Sequence, residues 1–265
     1  MLQSKMHMTL NTATHSVTGL TLSGGGLRAI GHIGVLKALE QHGIKASMVS
    51  GTSAGAVVGA FYAAGYSPDE MFAIIHKTDF FPKSYFRLRT NGLFSAAFLV
   101  KLFNQFLPKD FAGLKLPLWV AATELTAGVT EFFHEGDLYK ALLASSSIPF
   151  VLPAVQEGNK MYMDGGILNN QPIEPLRDRC DYLIGVHVNA ISHEMPVGIR
   201  KTFDRVFHLA LSNAVYAKAG QCNLFLDPPD MIRYSLLDKK DAQKIFDHTY
   251  SYAMRELEML QGKTA

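Results

Sequence analysis

The stretch GTSAG, residues 51–55, places one serine between two glycines and decides how the rest of the chain is interpreted. It follows a short strand-like run, Ala46–Ser50, and opens onto a helical pattern that ends near Ala64. Glycines on both sides of Ser53 allow a sharp strand-to-helix turn that exposes the hydroxyl above a sheet edge. The positive end of the following helix favours an oxyanion there. The pentapeptide alone also fits a small-residue turn against which a helix packs closely, so other residues must supply the oxyanion donors and the base.

Working outward from this turn, short apolar runs alternate with helical patterns. This alternation predicts an α/β fold with a mostly parallel sheet covered by helices. The predicted strands are Val17–Leu22, Ala46–Ser50, Leu116–Ala122 and Tyr182–Val188; the predicted helices are Ala29–Gln41, the one ending near Ala64, and the amphipathic Lys239–Leu260.

The composition of the 265-residue chain is that of a globular protein, with 48% hydrophobic and 18% charged residues. The net charge of +2 is too close to zero to indicate a nucleic-acid partner. Two cysteines, Cys180 and Cys222, are too few for a disulfide framework or a thiolate metal site and are interpreted as reduced structural thiols.

The first eighteen residues contain no continuous apolar core, and no stretch reaches the roughly 18 apolar residues of a spanning helix. We therefore expect a cytoplasmic protein that touches membranes at most peripherally. Without internal repeats or a long linker, the sequence predicts one catalytic domain, residues 18–262, preceded by an N-terminal extension, residues 1–17.

Three consecutive glycines follow the first predicted strand in SGGGLRAIGHIGVL, residues 23–36. Glycines there expose backbone N–H groups that can bind an anion. A dinucleotide fingerprint starting at Gly24 lacks a well-placed acidic ribose partner, and a phosphate loop would need Lys and Ser or Thr where His32 and Ile33 stand. An oxyanion loop fits better, because a candidate nucleophile follows on the next strand; Arg28 would fix the loop through backbone carbonyls or neutralise a nearby anion.

The third element is YMDGGILNNQP, residues 162–172, in which Asp164 ends a predicted strand before two glycines. An Asp-Gly pair most often marks a turn. Beside Ser53 and the glycine loop, however, its carboxylate is the natural general base for an activated serine.

In this combination the sequence resembles the patatin-like phospholipase family, through SGGGLR at 23–28, GTSAG at 51–55 and DGG at 164–166. The small-residue and proline stretch ASSSIPFVLPAV, residues 144–155, is similar too, and the resemblance extends from about Thr18 to about Leu260. It implies a three-layer α/β sandwich with a central mostly parallel sheet and lipid acyl hydrolase chemistry through a Ser–Asp dyad without histidine.

Carried over residue by residue, the resemblance makes Ser53 the nucleophile and Asp164 the base. It makes Gly24, Gly25, Gly26 and Arg28 the oxyanion region. Ala29 departs from the family pattern, which often has glycine after the basic residue, and its methyl group would narrow the loop.

A Ser–His–acid triad is the alternative catalytic arrangement, since histidines follow Asp164 at His187, His193, His208 and His248. His187 lies in a strand-like run and is expected to be buried, and the others have no motif around them. No metal motif occurs, so neither a metal nor another cofactor is predicted.

Aromatic and basic residues are interleaved between Phe80 and Phe111. Such stripes usually fill cores. The alternative is a lid or an interfacial surface for an anionic bilayer, and we interpret the segment as the wall for an acyl chain.

The sequence therefore predicts a serine acyl hydrolase whose substrate is a phospholipid or another fatty acyl ester. One alternative is a soluble carboxylesterase or thioesterase with the same dyad. The other is a non-catalytic, membrane-associated regulatory module. The oligomeric state, the headgroup and the acyl position cleaved are not predicted.

Overall fold

The computed structural model describes residues 17–78, 86–89, 92–149, 151–190, 198, 215–235 and 239–262. The predicted N-terminal extension lies almost wholly outside the described residues, as do His193, His208, Phe80 and Phe81.

The described chain alternates strands and helices as the sequence predicts. The strands are β1 (Thr18–Leu22), β2 (Met48–Thr52), β3 (Phe86–Arg89), β4 (Gly92–Phe94), β5 (Leu118–Glu124), β6 (Val129–Phe133), β7 (Val155–Glu157), β8 (Lys160–Asp164), β9 (Tyr182–Val186) and β10 (Leu224–Leu226). The helices are α1 (Ile30–Gln41), α2 (Ala54–Ala64), α3 (Pro68–Lys77), α4 (Ala97–Phe106), α5 (Leu138–Ser145), α6 (Glu174–Arg177) and α7 (Ala242–Gly262).

The central sheet has eight strands in the order β10-β9-β1-β2-β5-β8-β7, with β6 paired to β5. The run from β10 to β5 is parallel, whereas β6, β7 and β8 add antiparallel pairs. The predicted central, mostly parallel sheet is therefore confirmed, and the antiparallel end is a feature that the sequence patterns did not predict. Strands β3 and β4 form a separate hairpin.

Side-chain alternation along the strands builds a large core on one face of the sheet and a small one on the other. On β1 and β2, Leu20, Leu22 and Val49 enter the large core, which also holds buried residues of α1, α2, α3, α4 and α7. On β9, Leu183 faces the other way and packs with Ile173 and Leu176 around α6. A sheet with period-two alternation buries both faces in this manner, which gives the three-layer arrangement.

The strand register positions the residues that matter for function. Parallel β1 and β2 carry the glycine loop and the GTSAG turn at the same sheet edge, with Leu22 paired to Gly51. Thr52 is paired to Ala121 on β5, and the next residue, Ala122, is paired to Asp164 on the antiparallel β8. The end of β2 and the end of β8 therefore lie at one level, on opposite sides of β5.

Candidate active site

Ser53 forms the tip of the turn between β2 and α2 and is buried. Its φ of 54° and ψ of −129° make it one of two non-glycine residues with positive φ among the described residues. A serine in this sparsely populated region carries about 1–3 kcal/mol of backbone strain, which persists only where the surroundings impose it.

Glycines on both sides permit this turn because no side chain would fit there. A Cβ on Gly51 would lie 2.6 Å from the Cα of Ala56, and one on Gly55 would overlap the carbonyl oxygen of Ser23. The two glycines therefore let the start of α2 lie directly against the ends of β1 and β2.

Asp164 meets the serine across the end of β5. The Ser53 hydroxyl donates a hydrogen bond to Asp164 Oδ2 at 2.6 Å, and the N–H of Gly166 donates to Oδ1 at 2.8 Å. The backbone of Asp164 is held as well, since Thr123 Oγ1 donates to its carbonyl at 2.9 Å. Both oxygens of the carboxylate are thus oriented, one of them towards Ser53.

Burial sets the acidity of this carboxyl group. Desolvation raises the pKa of Asp164 from 3.8 to about 6, and the hydrogen bonds from Ser53 and Gly166 oppose that rise. A carboxylate with a raised pKa is a stronger base, yet it remains ionised at neutral pH. The pair is therefore suited to moving the serine proton to the aspartate.

The glycine loop lies against the serine. A Cβ on Gly24 would come within 3.2 Å of the Ser53 Cβ, and Gly26 lines the same cavity as Ser53. Among the described residues, none accepts a hydrogen bond from the N–H groups of Gly24, Gly25 or Gly26. The predicted oxyanion glycines and the predicted nucleophile are therefore brought together, with backbone donors free to meet an anion.

Arg28 is the fourth predicted oxyanion residue, and its side chain bonds acceptors within the protein. Its guanidinium is buried and donates to the carbonyls of Tyr234 (2.8 Å) and Ile232 (3.4 Å) and to Asn189 Oδ1 (3.2 Å). Burial lowers the pKa of Arg28 to about 10, so it stays charged at neutral pH. Two roles were predicted for Arg28: to hold the loop in place through backbone carbonyls, or to neutralise a nearby anion. The side-chain contacts agree with the first.

A cavity of about 80 Å³ opens beside Ser53. Apart from Ser53 and Ser146, its lining is apolar or glycine: Gly26, Leu27, Ala29, Ile30, Ala54, Val57, Val58, Ile75, Phe98, Leu99, Ile148 and Leu152. Ala29, the departure from the family pattern, is one of these lining residues. The cavity is therefore largely apolar, with Ser53 in its lining.

Of the predicted aromatic segment, Phe98, Phe103 and Phe111 are buried in the large core, and Phe98 also lines the cavity. Tyr85 and the side chains of Phe86 and Phe94 lie outside the described residues. The described rings therefore agree with the interpretation of the segment as core, and the wall for an acyl chain stays a prediction.

Ser145 was not singled out by sequence reasoning, although it touches the nucleophile. Its hydroxyl accepts the N–H of Ser53 at 2.7 Å and donates to the Ala121 carbonyl at 2.6 Å. The serine run in ASSSIPF was the available signal, but a run of three serines does not say which hydroxyl faces the turn.

The two triad candidates that the structure describes, His187 and His248, have other partners. His187 is fully buried directly after β9, and its Nδ1 bonds Asp227 at 2.9 Å. His248 Nε2 bonds the carbonyl of Pro229 at 2.8 Å. Neither contacts Ser53, so the hydroxyl hydrogen bond of the described structure goes to Asp164.

The described part of the chain has neither a membrane-spanning helix nor a cluster of metal ligands. Its helices are all too short or too polar to cross a bilayer. Its His, Cys, Asp and Glu side chains form no group of three or more that could hold a metal ion.

Comparison with known proteins identifies the class. The model of the patatin-like phospholipase family matches residues 20–177, which is more than half of the chain. The chain belongs to the patatin-like phospholipase family. The resemblance drawn from the three motifs is confirmed, and so, at the level of the family, is the prediction of a lipid acyl hydrolase.

Named relatives are larger proteins. The chain is 25% identical to the lysophospholipase NTE1 of Kluyveromyces lactis over 95% of its own length and 20% of that protein. It is 30% identical to the lysophospholipase NTE1 of Candida glabrata over 68% of its length and 11% of that protein. The chain thus spans between a tenth and a fifth of these curated relatives.

Among solved structures, VipD from Legionella pneumophila is similar in fold, with a TM-score of 0.53 and 14% identity. The similarity covers 92% of this chain and 67% of VipD. The predicted α/β architecture is confirmed by this comparison.

Proposed function

We propose that this protein is a serine acyl hydrolase that cleaves fatty acyl esters of phospholipids or lysophospholipids. The observation that carries the proposal is the 2.6 Å hydrogen bond to buried Asp164 from the hydroxyl of Ser53, which lines a largely apolar cavity. A serine hydroxyl needs such a base to become a nucleophile.

In the proposed reaction Asp164 accepts the proton as Ser53 Oγ attacks the ester carbonyl. The carbonyl oxygen becomes an oxyanion, to which the free N–H groups of the glycine loop donate. Asp164 then returns the proton to the departing alcohol, leaving an acyl group on Ser53. Deacylation repeats the sequence with water, which Asp164 deprotonates.

The lining of the cavity favours a fatty acyl group over a polar acyl group. An acyl chain that leaves water for this lining gains about 0.8 kcal/mol for each buried methylene. The relatives named lysophospholipase support a lipid substrate, and the family supports the ester chemistry. We also propose that residues 18–262 form the catalytic domain, as expected from the sequence.

The first test is labelling by a fluorophosphonate probe, comparing wild type with Ser53→Ala and Asp164→Asn. We expect labelling of wild type, none of Ser53→Ala, and much slower labelling of Asp164→Asn. Ser95→Ala, which changes a partly exposed serine outside the cavity lining, is the matched control and should label normally. A folded wild type that does not label, even with lipid vesicles present, would contradict the proposal and favour the non-catalytic module.

The soluble esterase is the second candidate, and the limited volume of the cavity favours testing it. Rates should be compared for short nitrophenyl esters, lysophospholipid micelles and phospholipid vesicles. Hydrolysis restricted to the short esters would replace the lipid substrate with a soluble one while keeping the dyad.

A further inference from the structure

Three successive carbonyls at the start of the glycine loop, those of Ser23, Gly24 and Gly25, accept hydrogen bonds. The Ser23 carbonyl is bonded by His32 Nε2 at 2.8 Å, and the Gly24 carbonyl accepts from Asn189 Nδ2 at 2.6 Å. Ser23 Oγ also donates to the Gly24 carbonyl, at 3.1 Å. The Gly25 carbonyl accepts the backbone N–H of Arg28 at 3.1 Å.

Holding a carbonyl also directs the N–H of the next residue. In a trans peptide the C=O and the following N–H point in opposite directions, and the described residues have no cis peptide bond. His32 therefore sets the direction of the Gly24 N–H, and Asn189 sets that of the Gly25 N–H. These are N–H groups for which the described residues offer no acceptor.

The side chains of His32 and Asn189 can each form these hydrogen bonds in only one orientation of donor and acceptor. A carbonyl accepts, so His32 Nε2 carries the proton; burial lowers the pKa of this ring to about 4, which keeps it neutral. Arg28 can only donate, so the atom of Asn189 that faces it is Oδ1, and the amide nitrogen necessarily faces Gly24. Both residues are buried, and their donors are fixed.

We propose that His32 and Asn189 are positioning residues that aim the Gly24 and Gly25 N–H groups at the oxyanion, with Arg28 holding the Asn189 amide in place. This inference rests on the proposed function, since it assigns these residues to the reaction at Ser53. Neither touches the reacting atoms; each acts through a peptide group. The loop donors are thereby oriented before substrate binds, which is what makes an oxyanion site effective.

Asn189→Asp is the sharpest test because it is isosteric and keeps an oxygen for Arg28. It places a carboxylate oxygen against the Gly24 carbonyl, and the peptide must turn. With a soluble nitrophenyl butyrate we expect kcat to fall by about 10²-fold, the size of effect seen when one oxyanion donor is lost, at nearly constant KM.

His32→Leu removes the other donor, and His32→Gln restores one, since its amide nitrogen can take the place of Nε2. We expect a comparable loss of kcat for the leucine variant and substantial recovery for the glutamine variant. His42→Leu is the matched control, because His42 Nδ1 bonds the Ala38 carbonyl at 2.9 Å at the opposite end of the same helix. Its kcat should equal that of wild type.

A trifluoromethyl ketone separates positioning from a general structural role. Its adduct with Ser53 carries an oxyanion, so its inhibition constant should rise by the same factor by which kcat falls. Binding of a free fatty acid, which forms no tetrahedral adduct, should be unchanged. If folded Asn189→Asp and His32→Leu keep a kcat within about twofold of wild type, the inference is overturned, as it is if they lose ketone and fatty-acid affinity equally.

The outcome for the proposed function is separate. If wild type hydrolyses esters and Ser53→Ala does not, the proposed function stands whatever the His32 and Asn189 variants show. Wild type without Ser53-dependent hydrolysis would overturn the function and, with it, this inference.

Discussion

At the scale of single residues, Asp164 determines how the proposed activity depends on pH. Its carboxyl group has to be ionised to accept the Ser53 proton, and its pKa is raised to about 6. We expect kcat/KM for a soluble ester to increase as the pH rises through about 6 and then to level off. A profile measured from pH 4.5 to 8 that stays flat would exclude Asp164 as the base.

The same shift links Asp164 to stability. Because folding raises its pKa from 3.8 to about 6, the folded state binds this proton more tightly than the unfolded state. Tighter proton binding stabilises the folded state fully below about pH 4, and this stabilisation is lost as the pH rises through 6. The rise from 3.8 to about 6 corresponds to about 3 kcal/mol in the free energy of unfolding.

Asp164→Asn cannot ionise and should therefore be more stable than wild type at pH 8, by up to about 3 kcal/mol, while losing activity. The gain should shrink at pH 4. Urea unfolding at both pH values measures it, with the exposed Asp178→Asn as the control for surface charge. Equal stability of Asp164→Asn and wild type at pH 8 would contradict the argument.

Ser146 is a second residue for which the structure gives a prediction, because its hydroxyl should weaken the binding of an alkyl chain. Ser146 lines the cavity, and its buried hydroxyl has no hydrogen-bond partner among the described residues. An alkyl chain that fills the cavity leaves this hydroxyl without water as well, at a cost of about 1–3 kcal/mol. We expect Ser146→Ala to lower KM for long saturated acyl esters by about 5-fold or more, as measured by steady-state kinetics.

Ser147→Ala is the matched control for that prediction. The neighbouring hydroxyl is satisfied by the Leu143 carbonyl at 2.7 Å and does not line the cavity. Its removal should leave KM unchanged. An unchanged KM in Ser146→Ala would indicate that the hydroxyl finds another partner once substrate binds.

At the scale of elements, the junction between β2 and α2 depends on backbone contact. A Cβ on Gly55 would overlap the Ser23 carbonyl, to which His32 also bonds. Gly55→Ala must push α2 away from the glycine loop, so we expect losses of both stability and labelling rate. Thermal melts and probe labelling measure these, and Gly220→Ala, with open space around it, should alter neither.

At the scale of the whole molecule, the cavity is assembled from several elements. Phe98 reaches it from α4 and Ile75 from α3, beside residues that follow the glycine loop and α5. Its depth therefore depends on how separate helices pack around Ser53. That dependence gives a prediction about the length of the acyl chain.

Phe98→Leu removes part of a ring from the wall, so we expect the optimal chain length to increase. Rates for nitrophenyl esters of increasing length would detect this change. Phe103→Leu is the control, since Phe103 lies on the same helix, is fully buried and does not line the cavity. Both variants should lose stability, but an altered length profile in Phe103→Leu as well would rule out a local effect.

The sequence by itself determined the family and the components of the candidate site. Glycine-rich turns after apolar runs are local signals, because φ/ψ freedom and strand alternation are properties of short segments. That is why GTSAG, SGGGLR and DGG could be recognised, and why β1, β2, β9 and the C-terminal helix were predicted to within a few residues.

Only the tertiary structure decided which polar groups meet. Ser145, Asn189 and His32 reach the site from different elements, and their roles follow from contacts across 9 to 165 positions of sequence. The antiparallel strands likewise depend on their partners and not on their own patterns, since β6 and β8 pair with β5 and β7 pairs with β8. Hydrogen bonds and desolvation are set by what surrounds a group in space, so Asp164 acquires its raised pKa, and the glycine loop its direction, only when the chain is folded.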